Sequence, residues 1–291
     1  MGLKANSQEW EKSEIPFDAR IVHTMTSNEN GYYILGGRLI NGKGRSNQTL
    51  LITRNGEFQT FKSFEARDGQ TLVSTKNNQL LAFGGISKEG IHNDLWFFKN
   101  NQWNEIDAKG EKPPKRWGHA AVYMNGKLFI YGGKSEGKGN FHDDLWEWNG
   151  TEWKELKSST KPPRRYGAQF GIYNHKLVLY GGRDHSGNWY NDTWIWDNDW
   201  KQLTIEKNNE PKASVGFVLI TTTNRLFLIG GILKGDSFKE IWEFTGNRWN
   251  LIDPKLPFSL DFAAGCYDQK SNSLLISGAS QNTFQLWRLD L

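Results

Sequence analysis

Leu128-Phe129-Ile130-Tyr131-Gly132-Gly133 is a short apolar run closed by a glycine pair. Aromatic and β-branched residues bounded by glycine favour a buried strand over a helix. The phrase recurs before Gly36-Gly37, Gly84-Gly85, Gly181-Gly182 and Gly230-Gly231, and a degenerate copy ends at Gly278-Ala279. The spacing is about 48 residues throughout, so six units take up nearly all of the 291 residues. The expectation is one repeat array over residues 1–291, with no second domain.

Each unit extends in both directions from its doublet. Upstream, His119-Met124 and the turn Asn125-Gly126 read as the first arm of a hairpin, because both turn residues must accept positive φ. Downstream, a polar loop leads to a tryptophan-bearing strand such as Leu145-Trp146-Glu147-Trp148. A fourth strand then carries Trp103, Trp153, Trp200 or Trp249, while unit one has Leu51 and Phe58 in the two tryptophan places. Four short antiparallel strands repeated six times describe an all-β, six-bladed propeller. Twelve of the fourteen tryptophans fall in third or fourth strands, where packing between blades accounts for them; Trp117 and Trp189 do not.

The doublets and the paired aromatics about seven residues apart resemble the Kelch repeat, and the resemblance runs over essentially the whole chain. It implies a Kelch-type β-propeller and, as in many Kelch adaptors, recognition of a protein segment. The last unit, 262–291, stops after its third strand at Leu286-Trp287-Arg288. Glu9-Trp10-Glu11-Lys12 aligns with the fourth-strand run Gln102-Trp103-Asn104-Glu105. Blade six is therefore expected to combine 262–291 with about 8–14, closing the ring and hiding its open edge. Deleting residues 1–13 should then destabilise the whole protein.

Composition narrows the partners. Net charge is +4, from 36 basic and 32 acidic residues, which over the whole chain argues against nucleic acid. No stretch approaches the ~20 apolar residues of a spanning helix, and no signal peptide is visible in Met1–Glu14. The single cysteine, Cys266, forms no internal disulfide and sits in an apolar run, where it reads as a small buried hydrophobe. These features lead us to expect a cytoplasmic monomer with no membrane partner.

The loops between second and third strands, and those from fourth strand to next blade, emerge at one end of a propeller. They are the long ones here and are rich in basic residues. At the entry to each first strand the equivalent positions are read as Arg20, Arg67, Arg116, Arg165, Ala213 and Asp261. Four guanidinium forks around one axis would make an anion site, with Asp261 opposite to orient a zwitterion or hydroxyl. Trp117 and Tyr166 follow two of these arginines, and Arg183, Trp189, Tyr190, Phe141 and Phe238 lie in the neighbouring loops. Aromatics beside arginine suit peptide anchors or stacking on a sugar ring.

Catalytic and metal chemistry have weaker signals. His92, His142 and His185 lie in equivalent loops near acids, yet no spacing matches a metal motif. The acids Asp94, Asp144 and Asp192 recur just before the third strand and read as loop hydrogen-bonding devices. His23 and His119 share a place near the mouth, as buried hydrogen-bonded groups or, alternatively, as a general base. No catalytic motif, cofactor or metal is assigned. Two readings stand: a recognition face for an acidic protein segment or anionic ligand, and an epimerase-like site for acidic metabolites or sugar acids.

Overall fold

The turn Asn125-Gly126 has φ of 52° and 83°, and it joins Ala120–Met124 to Lys127–Tyr131 in an antiparallel hairpin. Leu145–Trp148 and Trp153–Leu156 complete that blade, in the order 120–124, 127–131, 145–148, 153–156. The computed structural model describes residues 9–205, 210–252, 255–259 and 262–291. Five further four-stranded antiparallel sheets follow the same plan. The result is an all-β, six-bladed propeller with no helix among the described residues.

Second strands are the most deeply buried, as their apolar runs require: Ile34, Ile130, Leu179, Ile229 and Ile276 have essentially no exposure. Third- and fourth-strand tryptophans fill the seams. Trp103 donates from Nε1 to Thr49 Oγ1 of the preceding blade at 2.8 Å, and Trp249 does the same to Thr193 at 3.0 Å. In blade one the pairing Leu50 with Ile34 matches Trp96 with Ala82. Leu50, rather than Leu51, therefore takes the third-strand tryptophan's register.

The glycine doublets exist because the next blade comes too close for a side chain. Gly133, at φ 93°, donates to the carbonyl of Arg165 at 2.8 Å, and a Cβ on Gly132 would stand 2.7 Å from that same oxygen. Gly37, Gly85 and Gly182 make the matching bonds to Arg67, Arg116 and Ser214. The blade-five counterpart of the arginines is thus Ser214, not Ala213; the sequence reading was one residue early. At the sixth doublet, Ala279 lacks glycine's freedom. There the strand runs straight on, Ser273–Ser280 pairing with Thr283–Asp290 across the tight turn Gln281-Asn282.

Blade six is completed from the other end of the chain. Glu11–Ile15 pairs antiparallel with Thr283–Asp290, with Lys12 opposite Trp287 and Ile15 opposite Phe284. Ile15 is buried among Met25, Leu275 and Phe284. This is the closure expected from the alignment of Trp10 with Trp103.

Candidate functional site

Six residues in the left-handed region ring the neck of the central channel: Val22, Gly69, Gly118, Gly167, Gly216 and Phe262, with φ between 53° and 73°. Backbone bonds stitch neighbouring blades there, Gly118 N–H to Gly69 O at 2.8 Å and Gly167 N–H to Gly118 O at 2.7 Å. The channel below has a volume of about 590 Å³ and is lined by first-strand residues of all six blades. Trp117 and Tyr166 form part of its wall, each ring standing on the neck glycine of the preceding blade, Gly69 and Gly118 respectively.

The arginines do not open into this channel. Arg116 and Arg165 are fully buried, and Arg20 and Arg67 nearly so. Arg116 grips Asp144 with two bonds of 2.7 Å, and donates to the carbonyls of Gly132 and Pro114. Arg165 holds Asp192 in the same way at 2.5 and 2.8 Å, and Arg67 holds Asp94 at 2.6 and 2.7 Å. Each carboxylate also accepts an indole N–H, from Trp96, Trp146 or Trp194, at 2.7 Å. Burial alone would raise the Asp144 carboxyl. The bonds and charge of Arg116 with the indole of Trp146 outweigh burial and hold it below the usual carboxylate range. Arg20 has neutral partners instead, Ser46 and Gln48, and burial lowers its guanidinium to about 10 against the pull of Asp18.

The recurrent acids are therefore halves of arginine cages inside the blades, and the forks read as anion ligands are already occupied. Asp261 lies outside the described residues. The histidines are likewise committed. His23 Nε2 meets Ser277 Oγ at 2.8 Å, and His119 Nε2 meets Thr71 Oγ1 at 3.0 Å. Burial, reinforced by the nearby arginine, pushes His23 down to about 3 and His119 well below its ordinary value. His92 and His142 tie their loops to Ser87 and Ser135. Burial pushes the Cys266 thiol up to about 12.

These shifts set an acid limit. Both histidines are held neutral in the fold but take up a proton once unfolded, near pH 6.5. Stability is thus fully present above that pH and falls as pH drops through the window toward 3. Each group contributes a slope of about 1.4 kcal/mol per pH unit. Urea midpoints from pH 7 to 4 should fall steeply, and His23→Gln should flatten the fall. An unchanged slope in that variant would contradict the assignment.

What does reach the surface is an aromatic cluster at blades three and four. Trp117 and Tyr166, both half-buried, lie 5.5 Å apart between ring centres, and the buried Phe141 backs them, 5.4 Å from Tyr166. Two cations rest on these rings. Lys134 Nζ is 5.9 Å from Trp117 and 5.7 Å from Phe141. Arg183 lies over Tyr166 at 5.1 Å and Trp189 at 5.3 Å, and its Nε donates to Tyr166 Oη at 2.7 Å. Each cation occupies the first position after its glycine doublet, and main-chain bridges fix Lys134 to Trp117 and Phe141, and Arg183 to Tyr166 and Trp189. Among the described residues, neither forms an ion pair with a carboxylate.

Trp117, Tyr166, Arg183 and Trp189 are thus brought together, whereas Tyr190 turns inward, its ring 4.0 Å from the Arg165 guanidinium and its hydroxyl on Asp184 at 2.9 Å. Lys134 was missed; its register match to Arg183 was the available signal. Among the described residues no group of three histidine, cysteine or acidic side chains could hold a metal ion.

Known proteins agree with this architecture. The solved structure of YjhT superposes with a TM-score of 0.74, covering 94% of each chain at 17% identity, which speaks to the fold alone. Dynein regulatory complex subunit 7 of Chlamydomonas reinhardtii is 40% identical over 75 residues, 24% of this chain and 6% of that protein. Kelch domain-containing protein 1 of Homo sapiens is 29% identical over 137 residues, 43% of this chain and 32% of that protein. The tRNA wybutosine-synthesizing protein 4 of Aspergillus fumigatus is 30% identical over 126 residues, 38% of this chain and 12% of that protein. The matches therefore span well under half the length of these relatives. The model of the KLHDC2/KLHL20/DRC7 Kelch-repeats domain matches residues 22–231, and with the six-bladed architecture this makes the chain a member of the Kelch-repeat family.

Proposed function

We propose that the protein is a recognition module whose long-loop face binds a protein segment of acidic character, anchored at blades three and four. The observation that carries this reading is the pair Lys134 and Arg183: two cations with no carboxylate partner among the described residues, oriented on aromatic rings beside the channel mouth. Such cations are pre-ordered by the rings, so a carboxylate can bind without first immobilising a long side chain. Kelch propellers commonly mediate protein interactions, and the local match to a dynein regulatory complex subunit is consistent with that role.

The direct test is an array of acidic peptides probed with the intact chain. Lys134→Ala with Arg183→Ala should weaken binding at least about tenfold, in line with the loss of two charge-assisted contacts. Lys234→Ala with Lys239→Ala, on the blade-five loop, should leave binding in place. Equal losses in both pairs would mean diffuse charge rather than a site.

The channel supports a second reading, a small-molecule site, on the strength of its volume of about 590 Å³. The buried arginines weaken it for acids, since their donors are already used. A melting-temperature screen of carboxylates and sugar acids separates the two: a shift that survives Lys134→Ala with Arg183→Ala favours the channel.

A further inference from the structure

Blade five breaks the arginine cage in an informative way. In blades two, three and four the guanidinium donates to the carbonyl of the first doublet glycine, at 3.2, 2.9 and 3.0 Å, and to the aspartate that precedes the third strand. The tryptophan two residues after that aspartate supplies the indole N–H. In blade five the arginine is Ser214, the aspartate is Glu240 and the tryptophan is Trp242. Ser214 is buried, and its hydroxyl has no partner among the described residues.

A cavity of about 220 Å³ stands in this place. Its wall includes Gly230, Glu240 and Trp242, the counterparts of Gly132, Asp144 and Trp146 around Arg116, together with Glu210, Lys212 and Phe238. Among the described residues no ion pair reaches Glu240 or Glu210. Among the described residues the Glu240 carboxylate accepts only the backbone N–H of Lys239, at 3.1 Å. Burial raises the Glu210 carboxyl against a hydrogen bond with Asn191. Lys212, the one cation among the described residues that line the cavity, keeps its ammonium 4.9 Å over the Phe238 ring.

We infer that this cavity is a vacated arginine slot that takes an alkylguanidinium from outside, the arginine side chain of a partner peptide. Three sibling blades serve as the template: the same backbone acceptor, the same carboxylate position and the same indole surround a guanidinium in each. The longer arm of Glu240 lets its carboxylate reach a head that enters from the loop face rather than from Ser214. The volume lies below the about 300–1,000 Å³ of drug-sized sites and suits a single side chain. The cavity is separate from the Lys134–Arg183 cluster, so this inference does not rest on the proposed acidic partner.

The test uses N-acetyl-arginine N-methylamide on the intact protein, with its lysine and citrulline analogues as controls. At about ten times its dissociation constant the arginine probe should raise the melting temperature by roughly 3–6 °C. The citrulline analogue, which lacks the charge, should not. Agmatine, carrying a free amine instead of the peptide groups, should bind more weakly; equal or tighter binding would indicate a slot for a free metabolite and overturn the peptide assignment. Glu240→Gln should abolish the shift, and Lys134→Ala with Arg183→Ala should leave it intact. Ser214→Arg should itself melt higher than the parent and no longer respond to the probe. If that variant fails to fold, the parent's Trp242 indole N–H resonance decides instead: it should move with the arginine probe alone. A citrulline response equal to arginine's, or a full response in Glu240→Gln, would overturn the inference.

Discussion

Removing residues 1–15 should abolish cooperative unfolding. The strand Glu11–Ile15 supplies the outer edge of blade six, and its loss leaves the third strand, Thr283–Asp290, unpaired along one side. Several backbone hydrogen bonds at about 0.5–1.5 kcal/mol each would be lost. With them goes the burial of Ile15, about 2 kcal/mol, and part of that of Trp10, which packs against the seam with blade five. Together these approach the whole stability of a typical domain, about 5–15 kcal/mol. The ring also has no other covalent or disulfide tie across this seam, since the lone Cys266 is free. The truncated chain should therefore bind a hydrophobic dye and melt without a sharp transition, and a synthetic peptide of residues 9–17 added in trans should restore one. A truncation that melts like the parent would mean that closure contributes little.

That the first strand closes the last blade was legible in sequence, because a propeller repeat leaves a countable remainder. The glycine doublets were equally legible. Their cause is local, a positive φ and a neighbouring carbonyl too near for a Cβ, so each copy of the repeat records it separately. The arginine cages were not read, although both halves were visible. Arg67, Arg116 and Arg165 precede their aspartates by 27, 28 and 27 residues. That nearly constant offset was the signal of a pair. Blade one, with Gln48 in the acid position and Arg20 retained, obscured it, and so did the misplacement of Ser214 by one residue. The surface cluster was partly legible for a similar reason. Trp117, Tyr166 and Trp189 stood out once structural duties had been assigned to the other tryptophans. Lys134 did not, because a lysine in a polar loop has no distinguishing neighbour until the fold sets it over two rings.

The arginine cages also carry the second large effect. Arg116→Met should lower stability by about 3–5 kcal/mol, which for a chain of this size is on the order of 10 °C in melting temperature. Little of that loss reflects the worth of the ion pair itself. It arises because Asp144, which is only 15% exposed, keeps its charge after its partner has gone. One indole N–H from Trp146 then has to hold what two guanidinium bonds held before. Asp144→Leu alone should be about as damaging, since it strands a fully buried guanidinium with only the carbonyls of Gly132 and Pro114. Combining Arg116→Met with Asp144→Leu removes both charges at once, and the double variant should melt closer to the parent than either single one. Additive losses would mean that the two side chains stabilise the blade independently, through packing rather than pairing. The distinction bears on function, because an Arg116 variant that loses a ligand would otherwise suggest that this guanidinium touches it. If the double variant recovers both the fold and the ligand, the arginine is a strut of blade three, and recognition belongs to the residues that the strut holds in place.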